Sequence, residues 1–494
     1  MGLEIDRDRF DEADYVRFGS RLRECLEALR GMLARPGFGE GPATIGAELE
    51  VDLVDARGRP RPLNREILAD AVDPRISLEI DRFNLEINTH PVALAGRPFA
   101  ALADELSNAL RETSRAASIH RARVVTIGIL PTLQASDLQP GALTGVPRYR
   151  ALSAHVRASR HGPYHVHIEG LDTLDVETDD VTLEGANTAF QLHLRVAPGD
   201  YARTYNAAQL ATPVVLALSA NSPTFLGRRL WDETRIALFR QSVDDRPDTL
   251  GEEFQPARVS FGHGWVREGI FELFAETVAM HAPLLPGLSS EDPLARVRAG
   301  EVPALRELRL HNSTVWRWNR AVYDDTEGGH LRIEMRALPS GPTVADTVAS
   351  AALLTGLTLG LAEQSGSLLH RLTFGHARRN FYEAARHGLD AELLWPCDAC
   401  PSPRRVSVPA LVPELLPVAR RGLERAGVAE DEIARAMQVI AERVEARATG
   451  ATWQRRVVER LGGPTPEAFE RMFARYAELS SLGRPVHEWP EDGA

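Results

Sequence analysis

Residues 44–54 read TIGAELEVDLV, and the alternation within them decides the fold. Side chains on a strand point to alternate sides, so residues i, i+2 and i+4 share a face. Ile45, Ala47, Leu49, Val51 and Leu53 form an apolar face, while Glu48, Glu50 and Asp52 form the other. Three further stretches repeat the pattern. Phe83, Leu85 and Ile87 oppose Asn84, Glu86 and Asn88. Phe190, Leu192, Leu194 and Val196 oppose Gln191, His193 and Arg195. Leu331, Ile333, Met335 and Ala337 oppose His330, Arg332, Glu334 and Arg336. A merely solvated sheet face would carry Thr, Ser, Lys and Gln. These faces carry carboxylate, imidazole and guanidinium. If the four strands share one sheet, three or more carboxylates converge, and like charges at close range require cations. The pattern predicts a divalent-metal site on a sheet floor.

Around these strands, helical spacing is expected over 11–33, 98–121, 200–218 and 343–372, and again over 408–461 and 466–479. A short apolar strand is expected at 123–130, and strand-like apolar positions recur within 308–319. Gly58-Arg59-Pro60 reads as a turn joining hairpin strands, and the acidic stretch 172–180 as a surface loop. Strands and helices alternate without a βαβ rhythm, and no GxGxxG follows a strand. The expected class is therefore α+β with an antiparallel or mixed sheet, not a dinucleotide-binding fold.

The chain has 494 residues, a net charge of -12 and 26% charged residues. That charge disfavours a nucleic-acid binder, whose footprint is basic. All 57 basic residues are arginine. The absence of lysine excludes a Walker A loop, a protein kinase and Schiff-base catalysis. A phosphate clamp here must use arginine, metal ions or backbone N–H groups. Cys25, Cys397 and Cys400 do not form a disulfide framework. The lone Cys397-x-x-Cys400 lacks two further zinc ligands, with His387 the nearest candidate. The N-terminus is acidic without an apolar signal core, and the apolar run Val344–Ala362 reads as a buried helix rather than a membrane span. A cytoplasmic location with no membrane partner is expected.

Each polar face has its own chemistry. Glu48 and Glu50 present two carboxylates on one face, as a hard divalent cation prefers. Asp52 extends the row. Glu86 shares its face with Asn84 and Asn88. Glu79 lies seven residues before Glu86, so it joins that face only if a bend or bulge intervenes. His193 offers a neutral imidazole and Gln191 a hydrogen-bonding amide. Glu334 can complete a metal site, and Arg336 can take a phosphate or carboxylate bidentately.

Six blocks carry a resemblance: GAELEVDLV, DRFNLEINTHP, the Gln191-x-His193 strand, HNSTVWRWNR, HLRIEMRALPSGPTVAD and NFYEAARHGLDA. Together, from about Thr44 to about Trp395, they resemble glutamate–cysteine ligase family 2, the carboxylate–amine ligases. The resemblance implies a fold similar to the catalytic domain of glutamine synthetase: a curved antiparallel sheet, helices packed outside and a site on the concave face. The expected division is a catalytic domain over 1–400, which carries the resemblance, and a helical extension over 401–494, which the resemblance does not cover and which would serve in oligomerisation or as a lid. It also implies ATP, with Mg²⁺ or Mn²⁺, and transfer of a phosphoryl group to the γ-carboxylate of glutamate or a related acid. An amine, cysteine by default, then displaces phosphate. Carried over by position, Glu48, Glu50, Glu79, Glu86, His193 and Glu334 hold the metal ions. Gln191 and Arg336 contact the cofactor. Arg336, assisted by Arg332 or Arg235, steadies the transferring group. Many relatives have a His-x-His strand where this chain has Gln191-Leu192-His193, which leaves the substrate contacts open. The alternatives are a ligase for another amine or acid, a non-catalytic relative, and a metal-dependent amidohydrolase, which would need a histidine-rich zinc set.

Overall fold

The computed structural model describes residues 5, 9–160, 163–178, 181–246, 255–397 and 402–491. Five strands come early: β1 (Thr44–Val54), β2 (Ile76–Leu78), β3 (Asn84–Asn88), β4 (Val92–Ala93) and β5 (Arg123–Val125). The hairpin β6 (Tyr164–Glu169) and β7 (Thr173–Thr178) precedes β8 (Ala189–Arg195). Then come β9 (Thr224–Phe225), β10 (Arg228–Arg229), β11 (Asn319–Asp324), β12 (His330–Pro339), β13 (Glu392–Trp395) and β14 (Arg404–Ser407). Among the described residues, eight strands build one antiparallel sheet in the order β11-β12-β8-β1-β3-β2, with β4 and β5 also paired to β1. The four polar-faced stretches are thus adjacent strands.

Register aligns their faces. Ala47 lies opposite Leu192, which lies opposite Met335 on its other side. Val51 lies opposite Leu85. These side chains are buried, and helices Pro98–Ile119, Tyr201–Ser219 and Val344–Ala362 pack on the strands that carry them. Val344–Ala362 is long and apolar enough to cross a membrane, but most of it is buried inside the protein. The opposite face follows the same register: Gln191 faces Glu48, His193 faces Glu334, and Glu50 faces Glu86.

Three expectations are corrected. Most of the acidic stretch 172–180 is strand β7, because Leu174 and Val176 alternate inward while β6 supplies its backbone partners; residues 179 and 180 lie outside the described set. Within 308–319, Leu308 and Leu310 belong to helix Arg306–Asn312, Val315, Trp316 and Trp318 lie in the link that follows, and β11 begins only at Asn319. The turn at Gly58 exists, with its amide bonded to the Asp55 carbonyl (3.1 Å), but it makes only the bridge between Val54 and Pro60 before helix Asn64–Asp70 begins. Gly58 has φ +79°, and a side chain there would run into Phe473.

Beyond residue 401, helices Val408–Arg425, Glu430–Glu445, Gly450–Arg460 and Pro466–Ser481 follow. The first packs along Val344–Ala362. Arg443 and Asp346, both buried, form an ion pair at 2.9 Å, and Tyr476 donates to the Thr126 carbonyl at 2.9 Å. The first two of these helices share the main apolar core with the sheet, and the last two pack in a second apolar cluster with Val54, Phe83 and Val125. Of the cysteine pair, Cys397 is half-buried, and Cys400 lies outside the described residues.

Candidate active site

The polar face of the sheet floors a cleft with about 720 Å³ of empty space, part of it open to solvent. Glu48, Glu50, Glu86 and Gln191 rise from the floor. Arg148 and Tyr149 come from helix Pro147–Arg160, Ser313 and Trp316 from the segment before β11, and Arg320 from β11. A second cleft shares Glu48, Ser313 and Arg320 and adds His193, Arg309, Arg332 and Glu334. The two are halves of one groove.

In the first half, donor oxygens of Glu50, Glu79 and Glu86 all lie within 4.8 Å of one another. Glu79 reaches the other two because β2 ends at Leu78 and the irregular link 79–83 breaks the alternation. Burial, reinforced by the neighbouring carboxylates, pushes each of the three up to about 8. Three carboxyls that resist ionisation at neutral pH need a cation to become carboxylates together. The donor set is all oxygen, which suits a hard divalent ion. Glu50 is held firmly: its Oε2 accepts from the Ala189 amide (2.7 Å) and its Oε1 from Gln191 Nε2 (2.9 Å).

The second half has the opposite balance. His193 Nε2 lies 3.1 Å from Glu48 Oε1, while His193 Nδ1 is buried without a hydrogen-bond partner. Glu334 is clasped by Arg320 at 2.7 Å and Arg336 at 3.2 Å. Burial opposes its ionisation, but Arg320, Arg336 and His193 outweigh it and lower its pKa below the usual value. Arg332 pairs with Asp324 at 3.2 Å on the groove wall. Arg235 lies behind the wall rather than in the groove: it is buried and bonds Glu233 (2.9 Å) and the Ala337 carbonyl (3.2 Å). From there its charge still lowers the pKa of Glu50 and Glu184. Asp52 is buried at the end of the row, accepting from Asn84 Nδ2 at 2.9 Å.

Three groove residues escaped the sequence reading. Glu184, in the turn 181–187 before β8, faces the carboxylate cluster with its Oε2 buried and unpartnered, and burial pushes its pKa up to about 7. A turn has no periodicity to reveal it. Arg148 stands on helix Pro147–Arg160 and donates to Ser313 Oγ at 3.0 Å. Arg320 closes the block HNSTVWRWNR, and only the register opposite Glu334 exposes its place.

The sequence profile of glutamate-cysteine ligase family 2 matches residues 44–475. The chain belongs to glutamate-cysteine ligase family 2. It is therefore an ATP-dependent C–N ligase. The match runs past Trp395, where the motif resemblance ends, so the C-terminal helices are family sequence too. A protein provisionally named glutamate–cysteine ligase 2-3 from Rubrobacter xylanophilus is 28% identical over 435 residues, covering 86% of this chain and 95% of that one. One provisionally named glutamate–cysteine ligase 2-2 from Mycolicibacterium vanbaalenii is 26% identical over 422 residues, covering 84% and 93%. Among solved structures, the glutamate–cysteine ligase of Francisella tularensis, solved with AMP, aligns over 92% of this chain and 91% of its own. Its TM-score is 0.52 at 12% identity, a likeness of fold.

Proposed function

We propose that the groove joins the γ-carboxylate of glutamate, or a closely related acid, to a primary amine at the expense of ATP, with cysteine the default amine and the cytoplasm its location. The observation that carries this reading is the cluster of Glu50, Glu79 and Glu86, whose raised pKa values call for a divalent cation. Glu50, Glu79 and Glu86 would hold one Mg²⁺ or Mn²⁺, and Glu48, His193 and Glu334 a second. When bound, such ions neutralise the phosphates and polarise the phosphoryl group.

The chain's own groups do the rest. Arg336 and Arg320, brought together on Glu334, present guanidinium to the charge that develops on a transferring phosphoryl group. Arg332 assists from the second half of the groove, and the buried Arg235 acts on the site through its field alone. Gln191 and the Ala189 amide fix the orientation of Glu50. Glu184 has an unpaired carboxyl oxygen beside the cluster and serves as the receiving group for the ammonium of the incoming amine. The all-oxygen cluster favours this reading over a zinc amidohydrolase. Of the helices beyond residue 401, Glu430–Glu445 is tied by Arg443 to Asp346 of helix Val344–Ala362, which itself packs on the sheet. ADP release in Mg²⁺ should require both L-glutamate and one amine; release with neither present, or no release with any acid–amine pair, would contradict the assignment of substrates.

A further inference from the structure

The hairpin of β6 and β7 stands apart from the groove and carries its own ligand set. Tyr164, Val166 and Ile168 point inward and are buried, so His165, His167 and Glu169 share the outer face. The antiparallel register sets Asp175 directly opposite His167, and Glu177 opposite His165. Asp175 meets both imidazoles: its Oδ1 is 2.7 Å from His165 Nε2 and its Oδ2 3.2 Å from His167 Nδ1. His167 Nε2 lies 3.6 Å from Glu169 Oε1.

We propose that this face is a binding site for a transition-metal cation of the zinc class, held by His165, His167 and Asp175 with Glu169 at its edge. Two imidazoles at i and i+2 on one strand are a chelating pair, and imidazole selects Zn²⁺, Ni²⁺ or Cu²⁺ where carboxylates select Mg²⁺. The rings have centroids 6.3 Å apart and are about half exposed, so they can turn about χ2 to close on one ion. The backbone beneath them is fixed. The His167 amide donates to Gln241 Oε1 (2.7 Å), and the Glu169 carbonyl accepts from Trp231 Nε1 (2.8 Å) and Arg386 (3.2 Å). The chain thus separates the all-oxygen cluster of Glu50, Glu79 and Glu86 in the groove from a two-histidine site on the hairpin. Metal binding at the hairpin does not depend on which acid and amine the groove joins.

The test is titration of Zn²⁺ into the full-length, untagged protein against a chromophoric chelator, with Mg²⁺ in excess to occupy the groove. Wild type should take up one tightly held Zn²⁺. His165→Ala and His167→Ala should each weaken it by at least about tenfold, since even outer-shell losses commonly cost that much. Asp175→Asn, which leaves the hairpin's packing intact, should weaken it as well, and Glu50→Gln should leave it unchanged. No uptake by wild type, equal uptake by the His165→Ala/His167→Ala double variant, or loss in Glu50→Gln instead would each overturn the proposal.

Discussion

Glu50 sits where three buried carboxyls converge, and its chemistry follows from that crowding. In the cation-free protein, Glu50, Glu79 and Glu86 are each raised from 4.5 to about 8. A carboxyl whose folded pKa lies above its unfolded value contributes stability that is full below the unfolded pKa and lost as pH rises through the folded one. The cation-free protein should therefore lose thermal stability between about pH 5 and about pH 8, and Mg²⁺ should stabilise it far more at the upper end of that window. Thermal unfolding with and without Mg²⁺ checks this; an equal Mg²⁺ effect at both ends would contradict the cation site. Glu184 acts one step away. Glu184→Gln keeps the shape and removes the charge, so the KM for the amine should rise about tenfold or more, the loss of one charged hydrogen bond, with the KM for ATP little changed. A rise confined to ATP would move Glu184 to another role.

At the scale of elements, the groove depends on places where regular structure breaks. Strand β1 supplies Glu48 and Glu50 by alternation alone. Arg336 needs the register shift between Met335 and Leu338 that interrupts the pairing of β12 with β8. Its amide donates to the Trp318 carbonyl at 3.0 Å instead. Glu184 needs the turn 181–187, anchored where the Thr188 amide donates to the Gly128 carbonyl and Gly185 lies flat against buried Asp81. A methyl at Gly185 would overlap the Asp81 carboxyl. Gly185→Ala should cost about 1–3 kcal/mol by overpacking and shift Glu184, raising the amine KM together with the loss of stability. Urea unfolding and kinetics on the same sample test it; unchanged values in both would mean the turn does not position Glu184.

Across the whole molecule, alternation carried most of the sheet. The faces of β1, β3, β8 and β12 were readable because period-2 patterning survives wherever one face is buried and the other is chemically distinctive. Glu79 was legible only as a question, since its parity conflicts with Glu86 until the link 79–83 is seen to bend. Glu184 and Arg148 were not legible, because a turn and a mostly polar helix give no pattern that points into a groove. Arg235 was over-read: its charge was visible, but not the Glu233 partner that buries it. The strand–helix confusion at 308–312 arose from a short apolar run that fits both periods. The C-terminal helices were readable as helices, but their union with the rest of the molecule, through Arg443 to Asp346 on helix Val344–Ala362 and Tyr476 to the Thr126 carbonyl, depends on contacts between residues far apart in sequence. At this scale the proposed chemistry is activation of an acid by phosphoryl transfer. The decisive measurement supplies glutamate with heavy oxygen in its γ-carboxylate, together with ATP, Mg²⁺ and an amine. Through an acyl phosphate, one labelled oxygen should appear in inorganic phosphate for each amide formed; amide formation with unlabelled phosphate would rule that route out.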